Sequence, residues 1–432
     1  MLDELRSAAR RVGHERQLRA LMLACKRLLS ERGAANSVAI AREVVGRFEE
    51  LPDDERLHFF QKLSRDFSPA PSAVLASAQA YASAPNAAHL LALTRHTEPP
   101  RQELLRRINR SPGGTASILA MRRALLARLA RQPELEAVEA HFLHLLSSWF
   151  NPGFLEVKRV DWNSPAQLLE KLIHHEAVHQ IDGWDDLRRR LQPDRRCFAF
   201  FHPQLPAEPL IFVEVALLPE MPAAIAPLID KASQPLAPER FKVAAFYSIS
   251  NCEPGLKGVS LGNFLIKRVA EELKHELPQL KTFCTLSPIP GLARWLRGGA
   301  TVEGLGRARG ERRDAALATL REACGGDLDR LTTVAGLRAL APEAAEALQR
   351  LAAIYLGVLS VQPQGDPVAR FHLDNGARLE RLDPMGDLSA KGLKASFGMM
   401  VNYLYDLARI EDHHEKFTRG EVAYSRSVAA LL

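Results

Sequence analysis

The feature that most constrains the fold is a change of sequence pattern near residue 149. Before it, apolar residues recur at the 3.6-residue period of an α-helix, as from Leu18 to Leu29, and proline or glycine separates one segment from the next. After it, short runs rich in β-branched and aromatic residues alternate with helical segments. The pattern predicts an α+β protein: an all-α domain over residues 1–148 and a mixed α/β domain over residues 149–432.

Within the first domain, four more segments repeat the helical period, at residues 51–67, 70–83, 87–93 and 117–131. They follow no fixed repeat length, so a solenoid is not expected. The apolar faces of such helices are compatible with self-association. Oligomerisation is therefore the expected role of this domain.

Four strands are expected in the second domain, at residues 196–201, 210–216, 243–249 and 280–286. The first two are separated by a proline-containing turn and should form a hairpin. Helices are expected at residues 165–175, 261–275 and 342–359, with a short one after Pro290. A polar stretch rich in glycine and arginine follows, from Gly298 to Arg330.

The charge and cysteine content limit the partners. The 57 Lys and Arg residues against 51 Asp and Glu leave a net charge of +6, too diffuse for the basic, aromatic-interleaved stripe of a nucleic-acid-binding protein. A mild positive potential suits a small polyanionic ligand. The five cysteines include no CxxC pair, which argues against a disulfide framework and a zinc knuckle. We expect a cytoplasmic protein.

No membrane span is expected either. The most apolar run, between Pro209 and Leu228, is interrupted by Glu214, Glu220 and prolines before it reaches the length of a bilayer crossing.

The string His175-Glu176-Ala177-Val178-His179 matches the HExxH pattern of zinc peptidases, in which two imidazoles lie one helical turn apart. A zinc peptidase also needs a third ligand, and Asp185 stands where one subclass has histidine. Turn-like residues at Asp182-Gly183 follow almost at once. We interpret His175 and His179 as a structural pair and predict no metal, leaving the zinc peptidase as an alternative.

A second candidate is the glycine-bearing segment from Gly255 to Asn263, which lies between a predicted strand and a predicted helix. Glycines at such a crossing let backbone N–H groups converge on an anion, and the helix adds the positive end of its dipole. A phosphate-binding loop and a plain turn both fit this spacing. It is neither a Walker motif nor a GxGxxG dinucleotide fingerprint.

A third element runs from Asp366 to Ala377. Asp366 followed by Pro367 is a good helix start, and Gly376 suits the helix end, although Asn375-Gly376 could instead form a hairpin turn. We prefer a short helix carrying His372.

The order of these elements resembles the GNAT acetyltransferase fold, in which such a loop holds the pyrophosphate of coenzyme A and the flanking strands splay apart around the pantetheine arm. The resemblance places Ser287 beside the thioester. It places His372 where that fold commonly has a tyrosine acting as general acid.

Longer strings resemble the malonyl-CoA decarboxylase family over most of residues 149–405. They are Phe246–Ser250, Gly255–Val259, Leu261-Gly262, Phe264–Val269, Leu286–Gly291, Glu176–His179, Arg195–Cys197, Phe371–Leu373, Asn375–Ala377 and Asn402-Tyr403. One position departs: relatives can carry glutamate where this chain has Ser260, which cannot hold a negative charge.

The resemblance implies conversion of malonyl-CoA to acetyl-CoA and CO2 by a homotetramer. No cofactor or metal is required, because the thioester is the electron sink. The pyrophosphate is expected on backbone N–H groups of Lys257, Gly258, Val259, Ser260, Leu261, Gly262 and Asn263. Ser287 should bind the malonyl carboxylate or the thioester oxygen, and His372, with an ordinary pKa of about 6.5, should protonate the enolate. Tyr403 is expected to add a supporting hydrogen bond. A GNAT-type acyltransferase is the alternative.

Overall fold

The computed structural model describes residues 2–30, 36–259, 261 and 265–432. The chain divides into two compact units. Unit 1 comprises Met1–Glu156, His202–Glu208 and Glu253–Leu261; unit 2 comprises Val157–Phe201, Pro209–Cys252 and Gly262–Leu432. Unit 1 therefore includes two later segments that the sequence pattern assigned to the second domain.

Unit 1 is helical. Its helices are α1 (Leu2–Leu29), α2 (Ser37–Glu49), α3 (Asp53–Asp66), α4 (Pro71–Ser83), α5 (Ala87–Thr97), α6 (Pro100–Asn109), α7 (Gly114–Leu129) and α8 (Glu136–Trp149). Pro71 and Pro100 occupy first-turn positions, where the missing N–H has no helical partner to lose. The five helices expected from periodicity are present, and α2, α6 and α8 were not predicted.

The segment His202–Glu208 belongs to unit 1 through contacts with the end of α8. The His202 ring lies 4.6 Å from the Phe150 ring, and its Nε2 is 3.1 Å from the backbone carbonyl oxygen of Trp149. A sequence pattern cannot show such a contact, because the two partners are more than 50 residues apart.

Unit 2 is built on a mixed sheet. Its described strands are β1 (Glu156–Val160), β2 (Arg195–Phe201), β3 (Ile211–Leu218), β4 (Val243–Asn251), β5 (Thr282–Thr285), β6 (Ser287–Pro288), β7 (Arg378–Asp383) and β8 (Met400–Leu404). The order is β1-β2-β3-β4-β5-β8-β6, with β7 also paired to β8. The predicted hairpin is the antiparallel pair β2–β3. Strands β1, β6, β7 and β8 were not predicted.

Strands β4 and β5 are parallel and then diverge. They pair from Val243 opposite Thr282 to Phe246 opposite Thr285, and the Leu286 N–H donates to the Phe246 carbonyl at 3.0 Å. Beyond that point β4 continues beside β3, whereas β6 pairs with β8. This is the splayed strand pair that the GNAT resemblance predicts. The predicted fold class, a helical region followed by a GNAT-like mixed α/β region, is confirmed.

The described helices of unit 2 are α9 (Ala166–His175), α10 (Gly183–Arg190), α11 (Ala226–Ile229), α12 (Leu265–Glu276), α13 (Leu292–Arg297), α14 (Arg307–Ala323), α15 (Val334–Arg338), α16 (Pro342–Val358), α17 (Pro367–Asp374), α18 (Ala390–Ser396), α19 (Ile410–Thr418) and α20 (Arg426–Leu431). The polar stretch from Gly298 to Arg330 contains α14, which buries Ala316, Leu317 and Leu320 on one face. Its arginine-rich first turns obscured that stripe.

The segment Pro342–Val361 is the one described helical stretch that is long and apolar enough to cross a membrane. It differs from the apolar run at Pro209–Leu228, which contributes strand β3 instead. Within the protein, 61% of its most apolar window is buried. A core helix of a soluble protein passes the same length and composition test, so this helix is weak evidence for a membrane.

Candidate active site

Ser287 and His372 lie together, with 3.0 Å between Oγ and Nε2. Ser287 begins β6, directly after the divergence of β4 and β5. His372 lies on α17, whose first turn is capped as expected: Asp366 Oδ1 accepts the N–H groups of Val368 and Ala369 at 3.0 and 3.1 Å. Both side chains of the pair are buried, at 4% and 3% exposed, so little water reaches the two reactive atoms.

A series of hydrogen bonds passes through the His372 ring. Tyr405 Oη lies 2.9 Å from Nδ1, and Ser287 Oγ, beside Nε2, donates to Thr285 Oγ1 at 2.9 Å. Thr285 Oγ1 also accepts the backbone N–H of Tyr403 at 3.2 Å. A partner at each ring nitrogen fixes the orientation of the imidazole. Tyr405 and Thr285 therefore position the pair, and sequence reasoning missed both.

Burial lowers the pKa of His372 to about 3. The value of about 6.5 belongs to an unperturbed imidazole, and at neutral pH this buried ring carries no charge. The folded pKa lies below the unfolded value, so the stability contributed by the neutral ring is present above about pH 6.5 and is lost as the pH falls toward 3.

Tyr403 lies beside His372 in a way the sequence did not anticipate. Its ring stacks on the imidazole, with 4.7 Å between centroids and 27° between planes. Its buried hydroxyl has no hydrogen-bond partner within the described part of the chain. Tyr403 therefore contributes an aromatic ring stacked on His372 and a backbone N–H that donates to Thr285 Oγ1.

Of the seven loop residues expected to bind pyrophosphate, the structure describes Lys257, Gly258, Val259 and Leu261, and Ser260, Gly262 and Asn263 lie outside the described residues. Gly258 has a φ of +79°, a conformation that favours glycine. The N–H groups of Lys257 and Val259 donate to the carbonyls of Pro254 and Leu256 at 3.2 and 2.9 Å. Two of the expected anion donors are therefore engaged in turns.

Arg122 of α7 forms hydrogen bonds to backbone carbonyls of the same loop. It donates to the carbonyl oxygens of Gly255 and Lys257 at 2.6 and 2.7 Å, and its charge is paired with Glu139 at 2.5 Å. Because the C=O and N–H of a trans peptide point in opposite directions, the bond to Lys257 turns the Gly258 N–H away from the guanidinium. The buried Arg122 thus orients this loop, and no local motif marked it.

The string from His175 to His179 is not a continuous helix, because α9 ends at His175. The Glu176 carboxylate accepts the backbone N–H groups of Val178 and His179 at 2.8 and 2.7 Å, which turns the chain. The two imidazoles are therefore not one helical turn apart, as the zinc-peptidase motif requires. Across the residues that the structure describes, no three His, Cys, Asp or Glu side chains are grouped to hold a metal ion.

Comparison with known families shows which family the chain resembles. A family model described as the malonyl-CoA decarboxylase C-terminal domain matches residues 153–432, and one described as the malonyl-CoA decarboxylase N-terminal domain matches residues 67–150. The chain belongs to the malonyl-CoA decarboxylase family. The resemblance found in the sequence is thereby confirmed.

Solved structures of malonyl-CoA decarboxylases are similar to this chain over nearly its whole length. The protein from Rhodopseudomonas palustris is 44% identical, with a TM-score of 0.83, and the match covers 95% of this chain and 98% of that one. The protein from Cupriavidus metallidurans is 37% identical, with a TM-score of 0.75, and the match covers 97% of this chain and all of that one.

Curated animal members of the malonyl-CoA decarboxylase family are longer than the region they share with this chain. The mitochondrial enzymes of Anser anser anser and Rattus norvegicus are each 38% identical, over 327 and 326 residues. The match covers 72% of this chain but 64% and 66% of those proteins.

Proposed function

We propose that this chain is a carboxy-lyase that converts malonyl-CoA to acetyl-CoA and CO2. Membership of the malonyl-CoA decarboxylase family supports the substrate. The observation that carries the proposal is the buried contact between Ser287 Oγ and His372 Nε2, 3.0 Å apart, at the divergence of β4 and β5. A thioester lying between the diverging strands would have its acyl group beside both side chains.

The chemistry needs a carboxylate held out of the thioester plane, so that the breaking C–C bond overlaps the carbonyl π system. The electron pair of that bond then passes to the thioester, giving an enolate and CO2. Ser287, whose hydroxyl can rotate from Thr285 toward the substrate, would hold the carboxylate or stabilise the enolate oxygen. The dry surroundings of the pair strengthen such hydrogen bonds.

His372 would protonate the enolate carbon from Nε2. Since the ring is neutral in the protein by itself, we infer that it takes up a proton from solvent together with the substrate, whose carboxylate favours the charged imidazolium. Donation of that proton to carbon returns the ring to neutrality. In the charged state the Nδ1–H would donate to Tyr405 Oη, which lies 2.9 Å away.

The glycine-bearing loop would receive the pyrophosphate. Two of its described N–H groups are engaged in turns, so the proposal depends on the N–H of Gly258, which Arg122 orients, and on neighbouring positions of the loop. The net charge of +6 favours approach of the anionic ester.

The direct test is to incubate the purified chain with malonyl-CoA alone and follow acetyl-CoA and CO2. We expect stoichiometric formation of both, and kcat about 100-fold lower for Ser287→Ala, which removes one donor to the developing charge. CoA release that needs an added amine would instead identify the acyltransferase alternative. Full turnover by Ser287→Ala would contradict the assigned role of that serine.

The pH dependence tests the proton uptake. We expect kcat/KM for malonyl-CoA to fall as the pH rises from 6 to 8, approaching about tenfold per pH unit, because kcat/KM reports the free enzyme. In the free enzyme the pKa of His372 is about 3, so almost every molecule must gain a proton in this range. A flat profile in steady-state kinetics would instead indicate donation from a neutral ring.

Three expectations from the sequence stay predictions: a homotetramer, a cytoplasmic location, and a reaction without cofactor or metal.

A further inference from the structure

A cleft of about 220 Å³ lies beside the Ser287–His372 pair. Pro288, which follows Ser287 on β6, lines the cleft, as does Val368, one helical turn before His372 on α17. Much of the remaining wall is apolar and includes Pro290, Met399 and Met400. The cleft is therefore next to the pair along both β6, which carries Ser287, and α17, which carries His372.

His179 gives this cleft an unpartnered polar atom. The residue is 9% exposed and lines the cleft, and its Nε2 has no hydrogen-bond partner anywhere in the described chain. A buried nitrogen without a partner is unfavourable, and such atoms are rare in folded proteins. The position suits an atom that a ligand engages.

The state of the ring follows from its other nitrogen. The backbone carbonyl of Tyr247, the first residue of β4 beyond its pairing with β5, acts on the His179 ring and favours a proton there. Because Nε2 is unpartnered and a carbonyl accepts only from an N–H, we assign the proton of the neutral ring to Nδ1, which leaves a lone pair on Nε2. Burial lowers the pKa of His179 to about 4, although Asp387 acts in the opposite direction, so the ring is neutral at pH 7.

The backbone that carries His179 is also fixed. The buried Glu176 carboxylate accepts its N–H at 2.7 Å and the hydroxyls of Ser248 and Ser250 on β4 at 2.7 and 3.2 Å. Lys391 Nζ donates to the two carbonyls that precede His179, at 2.9 and 3.1 Å. The lone pair on Nε2 is therefore presented from a rigid support.

We propose that His179 binds the pantetheine arm of the CoA ester, with Nε2 accepting a hydrogen bond from one of its secondary amide N–H groups. The inference rests on the proposed function in taking a CoA ester as the ligand. The cleft has room for about seven waters of ~30 Å³ each, which matches a short length of extended chain. Its wall is largely apolar apart from Asp387 and Lys391 and suits methylene groups, while the lone pair on Nε2 suits an N–H donor.

The test uses His179→Asn. The Asn amide can donate to the Tyr247 carbonyl from the place of Nδ1, but it has no atom at the place of Nε2. We expect KM for malonyl-CoA, and Kd for CoA by calorimetry, to rise about 3- to 10-fold, the range of one neutral hydrogen bond, with kcat within about twofold. The control is His174→Asn, an exposed histidine at the end of α9, which should change neither constant.

A matched change in the ligand tests the same bond on the unaltered protein. Two CoA analogues are compared, each with one of the two amide N–H groups of the arm replaced by an ester oxygen. We expect the two to differ in affinity, because the analogue that lacks the N–H bound by His179 should bind about 3- to 10-fold more weakly than CoA. The affinity of that analogue should not fall further in His179→Asn, because the variant and the analogue each remove the same hydrogen bond. If the variant does not fold, binding of the two analogues to the unaltered protein still tests the inference.

The inference is overturned by unchanged KM and Kd in folded His179→Asn, by a loss confined to kcat, or by equal binding of CoA and both analogues. Failure of the proposed function is a different result, namely a wild-type chain that binds CoA but forms no acetyl-CoA. The calorimetric comparison then continues to test His179, and weaker CoA binding by the variant would support the inference.

Discussion

Replacing His372 by glutamine is expected to lower kcat for malonyl-CoA about 10²- to 10⁴-fold at pH 7, the usual contribution of a positioned general acid. Glutamine keeps a hydrogen-bonding group beside Ser287 Oγ, 3.0 Å from the native nitrogen, but it cannot carry the proton that the enolate needs. Acetyl-CoA formation under saturating substrate measures the effect.

Two controls separate chemistry from folding. His372→Gln removes a ring whose pKa is held near 3, so it should make the protein less sensitive to acid between pH 6.5 and 4. His89→Gln alters a partly exposed histidine of unit 1 and should leave kcat unchanged. A kcat within threefold of wild type in His372→Gln would refute the histidine as proton donor.

Replacing Arg190 by methionine is expected to destabilise the protein by about 3–5 kcal/mol at pH 7.5, the cost of leaving buried acids without their cation. The guanidinium, 1% exposed, bonds Asp186 and Glu214 at 2.9 Å each. The Glu214 carboxylate is buried with it, and burial raises the pKa of Glu214 to about 7 despite the opposing charge of Arg190. Denaturant unfolding measures the loss.

The loss should shrink at pH 5.5. Without Arg190 the pKa of Glu214 rises further, so the folded variant takes up a proton as the pH falls and regains part of its stability. The double variant Arg190→Met with Glu214→Met should recover part of the loss at pH 7.5, because the buried Glu214 charge is gone while the buried Asp186 carboxylate still lacks its cation. A loss below 1 kcal/mol, or one that is the same at both pH values, would contradict this account.

Local sequence signals predicted those elements that short stretches of neighbouring residues determine, such as helix starts and hairpins. Asp366 and Pro367 start α17 in the expected way, and the hairpin β2–β3 follows its alternating runs and proline turn. Family resemblance supplied Ser287 and His372, which are 85 residues apart and meet only through β6 and α17.

The groups that surround the pair could not be predicted, because tertiary packing brings them together. Tyr405 lies 33 residues beyond His372, and Arg122 lies 133 residues before the carbonyl of Gly255 that it binds. The low pKa of His372 is likewise a property of burial, which no sequence pattern reports. Strand β7 escaped prediction because four of its six residues are charged.

The discontinuity of unit 1 has a consequence for the order of folding. Helices α1–α8 are synthesised first, yet the segment Glu253–Leu261 that completes their unit comes only after β1–β4. Until then the Arg122 guanidinium lacks the two carbonyls it binds in the mature protein. Such long-range closure is entropically costly and slow. The helical part of the protein that leaves the ribosome first is therefore among the last to reach its final packing.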